Sequence, residues 1–60
     1  LDVPTRKFCN RMGIFEVADL QNYYLIDLIN STNMPKQPHL KIHIIFRLLH
    51  VLASQKMNFK

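Results

Sequence analysis

Sixty residues carrying eight Lys and Arg against four Asp and Glu form at most one small domain, with net charge +4 and pI about 9.7. Hydrophobic residues at 48% and charged residues at 20% exclude a disordered chain, and the single Cys9 excludes an intrachain disulfide. A chain this short buries only about 60% of its unfolded surface, so its core has little to spare.

The first predicted element runs from about Pro4 to Met12. Proline suits the first turn of a helix, and Gly13 suits the left-handed position just past a helix end. The second covers about Phe15 to Ile29. Val17, Leu20, Tyr24 and Leu28 recur at steps of three and four, with Leu25 and Ile29 widening the stripe. That pattern fits one helix, or two short ones broken near Gln21 and Asn22, and it makes Tyr24 a core residue. The run Asn30–Asn33 then ends the helix, because short polar side chains compete for backbone hydrogen bonds. With Pro35, Lys36 and Pro38 it forms a corner.

The third element runs from about Pro38 to Ser54. Its polar positions after Lys41 are His43, Arg47, His50 and Ser54, at steps of four, three and four, which is one narrow helical stripe. Leu48 lies away from that stripe and is expected in the core. A strand over the β-branched stretch from Lys41 to Phe46 is the alternative, and the length of the segment favours the helix. Few turn residues and long apolar periodicity therefore predict an all-α fold, a compact bundle of three to five short helices.

The last helix is apolar around most of its girth, and such a helix is covered from several sides. Either the first two segments wrap it completely, or a face around Ile42, Ile45 and Phe46 meets a protein partner or a second copy of the chain. The stretch from Ile42 to Ala53 is interrupted by His43, Arg47 and His50 and is far shorter than the roughly 20 residues of a membrane span, so no membrane is expected. A start without Met and without an apolar run behind a basic flank predicts a fragment of a larger protein rather than a signal peptide. One cysteine outside any disulfide framework points to an intracellular setting.

Side chains suited to catalysis are sparse. Glu16 and Asp19 fit a solvated surface or a helix N-terminal turn better than an acid/base pair. Cys9 has Arg6, Lys7 and Arg11 near it in sequence, which would lower a thiol pKa, but no base or oxyanion site accompanies it; a structural cysteine is the plainer reading. His39 and His43 have the spacing of two metal ligands on one helix and no third partner. No enzyme, metal, cofactor or small-molecule substrate is expected. The basic set is more informative: Lys7 and Arg11, four apart, make one helix edge, and phosphate contacts need charges placed in this way. Plain solubility is the competing explanation.

The segments LDVPTR, GIFEVADL and DLINSTNM resemble the C-terminal domain of the bacterial and plastid RNA polymerase alpha subunit. The matching positions are Leu1, Asp2, Val3, Arg6, Gly13, Ile14, Val17, Asp19, Leu20, Asp27, Leu28, Ile29, Asn33 and Met34. The resemblance implies a helical domain with a helix-hairpin-helix-like element, contact with the DNA minor groove and with regulatory proteins, a groove-reading arginine at Arg6 and a hairpin asparagine at Asn33. The departures lie in a shorter first helix and in Pro35, where that family has glycine. Pro35 and Pro38 lack the amide N–H groups with which such a hairpin holds a phosphate. Lys36 still supplies a charge. The leading expectation is a DNA-binding, transcription-related module using Arg6, Lys7, Arg11, Asn33 and Lys36, with duplex DNA as partner. The alternative is a protein-interaction or oligomerisation domain using residues 40–52.

Overall fold

Asp2 opens the fold. Its carboxylate accepts hydrogen bonds from the Thr5 hydroxyl at 2.9 Å and the Thr5 N–H at 3.5 Å, capping the first helix, α1 (Val3–Met12). The computed structural model describes residues 2–60; Leu1, the first position of the resemblance, lies outside them. A 3-10 segment (Val17–Asn22) follows, then α2 (Leu25–Ile29) and α3 (Pro38–Ser54). The described residues contain no strand, and residues 40–46 are helical.

Both long helices end in the same way. Gly13, at φ 74°, donates its N–H to Asn10, and Ile14 donates to Cys9. At the end of α3, Lys56, at φ 56°, donates to Ala53, and Met57 donates to Leu52. This paired pattern closes a helix through one left-handed residue, which glycine adopts freely and lysine adopts at a cost of about 1–2 kcal/mol. Past it, the tail folds back: Phe59 packs against the core and the Lys60 N–H donates to the Tyr23 carbonyl at 2.9 Å.

The middle segment corrects one expectation. Leu20 and Leu28 are buried as predicted, but Tyr24 is 51% exposed and Tyr23 is the tyrosine that packs inward. Tyr23 and Tyr24 both have extended backbone, between the 3-10 segment and α2. Successive side chains in an extended pair point to opposite sides, so the helical phase is lost there. The Tyr23 hydroxyl donates to the Met12 carbonyl, while the Tyr24 ring stays outside under the Lys60 ammonium, 5.4 Å from its centroid.

The core comprises Phe8 and Cys9 of α1, Ile14, Leu20, Leu28, Met34, and Ile44, Leu48 and Leu52 of α3. Those last three, at steps of four, form the single face of α3 that is sealed, against α1 and the 3-10 segment. Thr5 is buried with its hydroxyl satisfied by Asp2. The radius of gyration, 10.4 Å, is the value expected of a close-packed chain of this length. Ile42, Phe46 and Leu49 stay exposed on the outer face of α3, so the first two segments do not wrap that helix completely.

Candidate nucleic-acid interface

An α-helix turns about 100° per residue. On α1, Thr5, Phe8 and Cys9 point into the core, and Lys7 and Arg11 fall together on one flank. Facing that flank is the corner between α2 and α3. The corner is fastened to the end of α1 through sulfur: the Ser31 hydroxyl and the Asn33 side-chain amide donate to Met12 Sδ at 3.2 and 3.3 Å. Within it, the Asn33 N–H donates to Ser31 Oγ and the Met34 N–H to the Ser31 carbonyl.

Between flank and corner lies a half-open cavity of about 240 Å³. Phe8 forms its buried floor, Val3, Pro4, Pro35 and Leu40 form apolar walls, and Lys7, Arg11 and Asn33 complete the lining. Three of the five residues expected to touch nucleic acid thus share one concavity. Arg6 and Lys36 are exposed and do not line it. Sequence reasoning missed the apolar walls. The available signal was Pro4, which shares the Lys7–Arg11 flank at steps of three and four.

No Asp or Glu is among the residues that line this cavity. Glu16, Asp19 and Asp27 fall in the stretch between Met12 and Pro35, which has no Lys or Arg. Glu16 lines a separate small cavity of about 80 Å³ beside Cys9, on the other flank of α1. Asp19 turns back on its own segment, accepting from the N–H groups of Phe15 and Glu16 at 3.2 and 3.1 Å. The start of α3 offers few amides for an anion: Pro38 opens the helix, Gln37 gives no side-chain cap, and the Lys41 N–H is bonded to the Gln37 carbonyl.

His43 and Arg47 are less free than a solvated stripe would be. His43 Nε2 lies 2.7 Å from one Asp2 carboxylate oxygen, and Arg47 Nε lies 3.5 Å from the other. Partial burial disfavours the charged carboxylate, but the hydrogen bonds from His43, Thr5 and the backbone outweigh it, bringing the Asp2 pKa from 3.8 down to about 2. The cluster clamps the start of α1 to the middle of α3. Cys9 shows the opposite balance: it is buried, and loss of solvent pushes its thiol pKa up despite the basic residues near it in sequence. Among the described residues no group of three His, Cys, Asp or Glu could hold a metal, and no helix is long and apolar enough to cross a membrane.

No family model, curated protein or solved structure matches the chain.

The residues expected at a partner interface are split by the structure. Ile42 and Phe46 are 52% and 66% exposed, whereas Ile45 is half-buried against the core. Leu49, not anticipated, joins the exposed pair at a step of three from Phe46. Beside them runs a shallow depression lined by His43, Phe46, Arg47, Leu49 and His50.

Proposed function

We propose that the domain is a non-catalytic nucleic-acid-binding module whose contact surface is the Lys7–Arg11 flank of α1 together with the corner at Asn33. The supporting observation is that two cations and an amide from separate parts of the chain line one cavity, with no carboxylate among its lining residues. Charges so placed meet phosphates, and a net charge of +4 assists the encounter. A transcription-related role goes with this reading on the strength of the resemblance, and Arg6 and Lys36 extend the basic surface beyond the cavity.

Binding is expected to be weak and to fall moderately with salt. Each phosphate contact contributes about 0.9 to the log–log slope for a duplex and about 0.7 for a single strand. Lys7 and Arg11 together therefore predict a slope of about −1.4 to −1.8. Titration of labelled DNA at several salt concentrations, repeated with Lys7→Gln, measures it, and the variant should lower the slope by nearly one contact. No binding even at low salt would end the reading.

A second reading rests on Ile42, Phe46 and Leu49, three exposed apolar side chains at the spacing of one helix face. They suit a protein-interaction or oligomerisation surface. Light scattering over a concentration series, compared with Phe46→Glu, tests it: association that the variant abolishes supports it, and a strict monomer at high concentration removes the self-association form.

A further inference from the structure

We propose that the cavity between α1 and the corner receives one unstacked base of a single-stranded nucleic acid, while Lys7 and Arg11 hold the adjoining phosphates. This rests on the nucleic-acid reading and specifies its substrate class. Proteins that read duplex DNA place a protruding helix or ribbon in a groove. Here the cations instead border a recess whose floor, Phe8, is buried. A stacked base pair cannot enter such a recess; a base swung out of a flexible strand can.

Size and lining fit one ring. At about 240 Å³ the cavity is smaller than the roughly 300–1,000 Å³ of ordinary small-molecule sites, so it holds a ring and not a larger ligand. Val3, Pro4, Pro35 and Leu40 present hydrocarbon to a ring face, and any base has such a face. Lys7 and Arg11 are separated by about 6 Å along the helix axis and belong to the same lining, so a base inside the cavity keeps its own backbone within reach of both. Asn33 is the one neutral polar side chain in the lining, and the Met12 sulfur fixes its position. A site of this kind discriminates single strand from duplex strongly and one base from another weakly.

The test compares a labelled single-stranded oligodeoxynucleotide of mixed sequence with the duplex made from it, by fluorescence anisotropy at low salt. The single strand is expected to bind about tenfold tighter or more, with a salt slope near −1.4 from two phosphates. Val3→Met extends a flexible, non-aromatic side chain over the cavity without changing charge and without offering a stacking surface. Because Val3 is 51% exposed and outside the core, the fold should survive, as circular dichroism will verify. This variant should lower single-strand affinity about tenfold, the scale of lost apolar burial against the cavity walls, and duplex affinity several times less. Duplex binding as tight as single-strand binding, or a Val3→Met variant that binds the single strand like the parent, would overturn the base cavity and leave the nucleic-acid reading standing. A nucleoside monophosphate that competes as well as the strand, mole for mole, would overturn the strand as occupant and make the cavity a nucleotide site. No binding of either DNA would remove both.

Discussion

Leu48→Ala is expected to lower the unfolding free energy by about 2–5 kcal/mol, the range for truncating a well-packed buried leucine. Leu48 is fully buried and sits at the centre of the sealed face of α3, one turn from both Ile44 and Leu52. The void it leaves would adjoin the small cavity that Leu48 already lines with Cys9, Phe15 and Leu20. At about 0.05–0.15 kcal/mol per residue, sixty residues carry about 3–9 kcal/mol in total. The variant should therefore show a melting transition displaced by tens of degrees or no cooperative transition at all. A melting curve close to that of the parent would show that α3 is not the core helix.

Asp2→Ala is the second large effect, at about 1–3 kcal/mol. It removes the cap of α1, worth about 1 kcal/mol, and the contacts to His43 and Arg47. Those partners are about half exposed, with side chains at 43% and 51%, so each pair adds about 0–1 kcal/mol. The buried Thr5 hydroxyl also loses its acceptor. The pH dependence follows in sign. A carboxyl whose pKa falls from 3.8 unfolded to about 2 folded contributes fully above pH 3.8 and loses that contribution as pH drops through 2. The melting temperature of the parent should decline across that interval, and Asp2→Asn, which keeps a capping oxygen but cannot ionise, should decline less. Equal slopes for the two proteins would show that Asp2 is not clamped.

What was legible in the sequence depended on the range of the interactions that fix it. Pro4, Gly13 and Pro38 mark helix ends by local backbone chemistry, and α1 and α3 begin and end within a residue of where these and the polar stripe place them. Leu48, expected in the core from the same stripe, is fully buried. Its neighbours on the sealed face, Ile44 and Leu52, were not singled out by it, because the sealed face lies to one side of the stripe's opposite and leaves Ile45 half-buried. The exchange of roles between Tyr23 and Tyr24 was not legible, because α2 is five residues long and has too little intrinsic helix to hold a phase. The Asp2–His43–Arg47 cluster joins residues far apart in the chain, and no spacing rule reaches that far. The cavity is similar: Lys7 and Arg11 were visible as an edge, but its walls come from α1, the corner and α3 at once.

The sealed face of α3 also sets the order of events during synthesis. Phe8, Leu20 and Leu28 are translated before the surface that covers them. The ten residues of α1 are too few to hold as an isolated helix in water. At about 5–20 residues per second, the seventeen residues of α3 take about 1–3 s to make. For that interval Phe8, Leu20 and Leu28 lack the helix face that buries them in the folded domain. The core closes only once Ile44, Leu48 and Leu52, the buried residues of that face, have all been made.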